Sequence, residues 1–433
     1  MAHYAILCPH NAGHLLPLSA LGHELVQRGH RVTVVNTAPA APIAERFGLS
    51  FHEWTTDHLP GPTNWLIWKL FCQVNAEWMI GLREGYCRQA KILLELAPET
   101  LKKLQVDGVI IDQTFIGGGT VAERLGLPYV HICTALPWNE DAVAPPLFTH
   151  WLPAENAVAR LRNRMAFAGW RWYMGLSVRL VNRYRKAWRL RPIRRVDDEY
   201  SPLAQICQLC RELDFPRRDP PSVLHYAGPL AADRPTGQVE FPWDRLDGRP
   251  MIFASLGTVP DPMNVPIYQK ILAACARIDA QLVLALGRWT DYEGPTIQEQ
   301  LGEIVGDPLI VDYAPQMALL EKAALMITHA GQNSAMEALS RGVPMVAIPR
   351  SADQPGVAAR VEYAGAGLRA FFRTVTPDQL AAIIQRVLTE PSFRQRAAEL
   401  RQALIRSGGA PKAAEIVERA LTTGRPVLAS ADH

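Results

Sequence analysis

The feature that most restricts this chain is an alternation that runs once, stops and starts again. Short apolar runs are each followed by a stretch with helical spacing, on both sides of residue 250. In the first half, residues 4–9 form an apolar run that leads into a loop containing His and Gly. Leu15, Leu18, Leu21, Leu25 and Val26 then recur at helical spacing, and Arg28-Gly29 ends that helix. Arg31–Asn36, Gly108–Asp112 and Tyr129–Cys133 read as further strands, with a helix near 118–125 between the last two. The pattern restarts with Met251–Ser255, a helix near 265–278, and strands at 281–286, 325–328 and 345–348. Helical patterns at 333–340, 377–389, 392–406 and 411–422 complete it. Strands alternating with helices make parallel βαβ units and doubly wound sheets. The chain is therefore expected to be α/β, with two Rossmann-like domains facing each other across a cleft.

The segment 228–250 between the halves is dense in Pro and Gly and reads as a linker. The expected division is an N-terminal domain over 1–235, a second domain over 236–408, and a C-terminal helix in 409–433 that packs back on the first. A length of 433 residues accommodates that arrangement. At 48% hydrophobic and 20% charged, the chain is neither disordered nor a disulfide scaffold. A net charge of +3 is too small to argue for a nucleic-acid partner. No segment has the roughly 20 apolar residues of a membrane span, and no basic region precedes Tyr4 as in a signal peptide. The expected compartment is the cytoplasm. Seven cysteines in so long a chain suit reduced thiols, and Cys207 and Cys210 read as buried thiols rather than a metal or redox pair.

Residues 150–195 depart from the alternation. They contain 12 Arg or Lys against one acid, Glu155, interleaved with Trp151, Phe167, Trp170, Trp172, Tyr173, Tyr184 and Trp188. Two readings stay open: contact with an anionic membrane surface, or a solvated helical insertion whose aromatics pack on the core. Trp65, Trp68, Phe71 and Trp78 describe an apolar helix face, suited to core packing or to a greasy acceptor.

Ligands bind doubly wound sheets at the carboxyl ends of the strands. His14 follows the first strand, and Asp112 ends the strand Gly108–Asp112, so both should emerge at one sheet edge. An imidazole held by a carboxylate is suited to removing a hydroxyl proton near neutral pH. On the other half, His329-Ala330-Gly331 joins a strand end to a helix opening with Asn333-Ser334, which makes an anion site of backbone N–H groups.

Taken in order, Tyr313-Ala314-Pro315-Gln316, His329 to Glu337 (with Gly331, Asn333 and Ser334), Gly342-Val343-Pro344 and Asp353-Gln354 resemble the donor signature of two-Rossmann nucleotide-sugar glycosyltransferases, the GT-B architecture. The resemblance implies that Tyr313 stacks on uracil, Gln316 lies at the nucleoside, and Glu337 accepts from the ribose hydroxyls. It implies that His329, Asn333 and Ser334 hold the diphosphate, with Thr258 in a second phosphate loop, and that Asp353 and Gln354 grip the sugar. Many relatives have Trp where Tyr313 stands, and plant members have Trp where Gln332 stands. Gly13-His14 followed by Pro17 is similar to the family's Gly-His-x-x-Pro, in which the His is the catalytic base and a distant Asp its partner. Residues 106–113 and 201–217 resemble the carotenoid (zeaxanthin) glucosyltransferase branch. That implies inverting transfer of glucose from UDP-glucose to a hydrophobic hydroxylated acceptor, without a metal or other cofactor. Three alternatives remain at this stage: another small natural product as acceptor, a UDP-sugar 2-epimerase, and a non-catalytic nucleotide-sugar binder.

Overall fold

The computed structural model describes residues 1–54, 76–231, 239–257, 261–287 and 296–429. It contains two wholly parallel sheets. The first holds β1 (His3–Leu7), β2 (Arg31–Asn36), β3 (Ser50–Glu53), β4 (Gly108–Asp112), β5 (Tyr129–Cys133), β6 (Gln205–Cys207) and β7 (Leu224–Tyr226), in the order β3-β2-β1-β4-β5-β6-β7. The second holds β8 (Met251–Ser255), β9 (Gln281–Ala285), β10 (Leu309–Val311), β11 (Ala323–Thr328), β12 (Met345–Ala347) and β13 (Gly367–Arg369), in the order β10-β9-β8-β11-β12-β13. Strands β1, β4, β5 and β9 are buried at every position. Sheets covered on both faces by crossover helices require this, and it is why their sequences are continuously apolar rather than alternating.

The helix Ala12–Gln27 turns Leu15, Leu18, Leu21 and Leu25 into the core over the first sheet. It begins earlier than the leucine periodicity suggests, because the Asn11 carbonyl already accepts from the amides of His14 and Leu15. His14 therefore sits in a helical first turn, where its direction is fixed, rather than in a loop. The helix Pro391–Ser407 ends at Gly408 and Gly409, both at positive φ, a conformation glycine adopts without penalty. That turn sends the helix Gly409–Thr423 back over the first sheet, where Ala413, Ile416, Val417 and Leu421 join its core.

The two halves meet through a buried ionic cluster. Asp214 accepts from Arg360 Nε at 2.7 Å, Arg217 Nε at 2.8 Å and the Tyr226 hydroxyl at 2.8 Å. The Arg360 guanidinium also lies 4.2 Å from the Phe215 ring centroid. Burial pushes the Asp214 carboxyl up, but the two guanidinium groups outweigh it and hold the group well below the usual carboxylate range.

Candidate active site

In each sheet the strand order reverses direction beside the first strand, between β1 and β4 and between β8 and β11. Loops leaving the two strands at such a point part to opposite faces and open a crevice at their carboxyl ends. His14 follows β1, Asp112 ends β4, Thr134 follows β5 and Gln208 follows β6. On the other sheet, Gly257 comes after β8 and His329 comes after β11.

His14 Nδ1 lies 3.0 Å from Asp112 Oδ2 and 2.8 Å from the Thr134 hydroxyl. A carboxylate only accepts, so Nδ1 carries the proton and Nε2 keeps its lone pair. Asp112 is fully buried, and each oxygen has two donors. Oδ1 accepts from the Thr114 amide at 2.8 Å and its hydroxyl at 2.6 Å, while Oδ2 accepts from the Thr134 hydroxyl at 2.5 Å as well as from His14. Burial alone would raise the Asp112 pKa, but His14 and the two threonines reverse that and lower it. Burial would likewise lower the His14 pKa, yet Asp112, with a smaller contribution from Asp353, raises it above 6.5.

On the opposing side, Ala330 is left-handed at φ 60° and turns the chain from β11 into the helix Gln332–Ser340. A non-glycine residue held there stores strain, which functional sites often do. A Cβ at Gly331 would meet His329 Nε2 at 2.5 Å, so glycine here lets the His329 ring keep its position. Burial, then Arg350, push the His329 pKa down to about 4, so this ring is neutral at pH 7. Asn333 and Ser334 lie in the first turn of that helix. Glu337 follows one turn on, buried, and accepts from Gln316 Nε2. Tyr313 is exposed. A second left-handed residue, Ala352 at φ 55°, precedes Asp353 at the start of the helix Gln354–Tyr363. Gln354 Oε1 accepts from the Arg350 amide at 2.9 Å. Burial raises the Asp353 pKa, against the pull of the Leu136 backbone and of His14 across the cleft. Thr258 lies outside the described residues, as do Trp65, Trp68 and Phe71 and the side chain of Trp78.

The halves touch at the site itself. Asn333 Nδ2 donates to the Gly13 carbonyl at 2.8 Å, and Gln208 Nε2 donates to Asn333 Oδ1 at 3.2 Å. Gly13 is four residues before Pro17, which lies inside the helix and has no N–H to offer that carbonyl.

Thr114, Thr134 and Gln208 were not foreseen as site residues. Thr134 and Gln208 were legible in principle as the residues immediately after strands, but β6 is three residues long and carries no periodicity. Cys207 and Cys210 are buried, with thiol pKa values pushed up by burial to about 12. Among the described residues, no three His, Cys, Asp or Glu side chains cluster as metal ligands.

Two Rossmann-type sheets, opposed at their switch points with a His–Asp pair on one side and a helix N-terminus on the other, define a glycosyltransferase of GT-B architecture. The chain belongs to the family described as UDP-glucoronosyl and UDP-glucosyl transferase, whose model matches residues 5–404. It is thus a UDP-sugar-dependent hexosyltransferase. Zeaxanthin glucosyltransferases of Pantoea ananas and Pseudescherichia vulneris are each 34% identical to it, over 100% and 99% of this chain and 99% and 100% of theirs. Among solved structures, the glycotransferase of kitacinnamycin matches with a TM-score of 0.71 at 25% identity, covering 96% of this chain and 98% of that one. The calicheamicin glycosyltransferase CalG4 matches at 0.69 and 22% identity, over 98% and 100%.

Proposed function

We propose that the protein transfers glucose from UDP-glucose to a hydroxyl of a carotenoid such as zeaxanthin, inverting the anomeric carbon. The observation that carries the chemistry is the His14–Asp112 pair at 3.0 Å, buttressed by Thr134 and opposed across the cleft by the helix Gln332–Ser340. Nε2 of His14 removes the acceptor hydroxyl proton, and the oxygen attacks the anomeric carbon as UDP leaves from the opposite face. Asp112 keeps the imidazole in its productive tautomer and stabilises the imidazolium that forms. Charge growing on the departing diphosphate is met by the neutral His329, by Ser334 and Thr258, and by the open amides of the helix start. Asn333 has a second duty in this reading, since its side chain also joins the halves. Tyr313 stacks on the uracil, Gln316 and Glu337 receive the ribose, and Asp353 and Gln354 hold the sugar.

The carotenoid acceptor is supported by full-length similarity to two zeaxanthin glucosyltransferases. Such an acceptor dissolves in bilayers, so the enzyme would work at the cytoplasmic face of a membrane without crossing it. No helix among the described residues is long and apolar enough to span one. The test is mass spectrometry of products when UDP-glucose is offered with zeaxanthin, a flavonol and a macrolide. Hexose additions to zeaxanthin are expected. If only the flavonol gained mass, the acceptor assignment would be wrong.

A further inference from the structure

The helix Ala157–Ala187 shows a face that no described residue covers. Val158, Leu161, Met165 and Trp172 are exposed at 77%, 58%, 67% and 76%. Steps of three, four and seven residues place them on one side of the helix. The opposite side buries Ala159, Asn163 and Phe167, and its Met174 and Val181 join the N-terminal core. Beyond Trp172 the exposed side continues at the same spacing but changes chemistry, through Arg179, Arg183 and Lys186. Among the described residues, no carboxylate pairs with any of these three. A contiguous apolar stripe of this kind marks an interaction surface, and cations aligned with it select a partner that is apolar within and anionic at its edge.

An independent observation lies beneath this helix. Phe148, exposed in the loop before it, stands 5.4 Å from Trp170 between ring centroids. Trp170 is 5.3 Å from Trp138, and Trp138 is 5.8 Å from Tyr86. The Trp138 amide donates to Oε1 of Gln113, the residue that follows Asp112, at 3.4 Å. A continuous aromatic wall therefore runs from the outer face to the site.

We propose that Val158, Leu161, Met165 and Trp172 dock into an anionic phospholipid bilayer, with Arg179, Arg183 and Lys186 on its headgroups. The Phe148–Trp170–Trp138–Tyr86 wall then leads a lipid-soluble hydroxylated acceptor from that bilayer to His14. What this wall leads to His14 rests on the acceptor reading given above, whereas the docking face can be tested without it.

Flotation of the full chain with phosphatidylcholine vesicles, with and without phosphatidylglycerol, tests the surface. The wild type is expected to float with the anionic vesicles. Arg179→Gln/Arg183→Gln should weaken that partition by about fivefold per charge removed. Leu161→Ser/Trp172→Ser should weaken it at least about tenfold, because both apolar anchors are lost. Thermal unfolding midpoints of both variants should match the wild type, and so should their turnover on detergent-solubilised zeaxanthin. Only turnover on vesicle-embedded zeaxanthin should fall. A wild type that stays in solution beside anionic vesicles overturns the proposal, as does a Leu161→Ser/Trp172→Ser variant that floats equally well. Glucosylation in micelles by a protein that never floats leaves the acceptor reading standing and overturns the docking face. Flotation without any glucosylation of zeaxanthin supports the docking face and overturns the acceptor.

Discussion

Asn333 reaches across the cleft to the one helical carbonyl of Gly13 that Pro17 leaves without its usual partner, at 2.8 Å. The proline thus joins a local sequence feature to the closure of the molecule. Pro17→Ala supplies the missing N–H and removes a residue that costs a helix interior about 3 kcal/mol. The expected outcome is a higher thermal midpoint together with a fall in kcat/KM for UDP-sugar of up to about tenfold, the value of one hydrogen bond. Asn333→Ala should lower kcat/KM similarly without raising the midpoint. Stabilisation by Pro17→Ala with unchanged kcat/KM would show that Asn333 does not depend on the freed carbonyl.

His14→Ala is expected to lower turnover by about 10²- to 10⁴-fold with the fold intact, the usual share of a general base. Steady-state rates beside a circular dichroism spectrum check this. Near-wild-type rates would remove the mechanism.

The acid limb of the rate profile follows from the His14 pKa. The base must be neutral to act, and its pKa in the folded protein lies above 6.5. kcat/KM should therefore rise with pH through a midpoint above 6.5. Asp112→Asn deletes the charge that raises this pKa and leaves burial, which lowers it, so the midpoint should move down while the plateau falls. A midpoint that is unmoved in Asp112→Asn would separate the limb from His14. The pair also bears on stability. The contribution of His14 is complete below 6.5 and fades as pH rises through its folded value. That of Asp112 is complete above 3.8 and fades as pH falls through its own lowered value.

Gly331→Ala places a methyl 2.5 Å from His329 Nε2, so the ring must leave its position. KM for UDP-sugar should rise about tenfold or more, while the His14–Asp112 pair on the other half is untouched. Calorimetric titration with UDP gives a direct reading, and unchanged affinity would take His329 out of the donor site.

The Asp214 cluster should show the asymmetry of buried charge. Asp214→Ala leaves Arg217 and Arg360 facing each other without a counter-ion, at an expected cost of about 3–5 kcal/mol. Asp214→Ala/Arg360→Met should cost less than Asp214→Ala alone. Chemical denaturation of the two variants compares them, and a double variant less stable than the single would mean that the cation–π contact with Phe215 outweighs the ion pair.

Long buried strands were legible from the residues alone, since β1, β4, β5 and β9 must be apolar throughout wherever helices cover both faces of a sheet. His14 and Asp112 were legible for a related reason: parallel topology brings the carboxyl ends of strands to one edge, however far apart they lie in sequence. The spaced motif from Tyr313 to Gln354 was legible because loop, turn and helix start are consecutive in the chain. Strands β6, β7, β10 and β13 are three residues each, too short to carry a period, and their neighbours' hydrogen bonds define them. Tertiary structure alone decided that Thr134 would complete the shell of Asp112, that Asn333 would face Gly13 and not only a ligand, and that Arg360 would be buried on Asp214. Each of these contacts joins residues from separate elements, in the last two cases from opposite sheets. Local pattern records which face of an element is apolar, and the packing of those faces sets which polar groups meet beyond them.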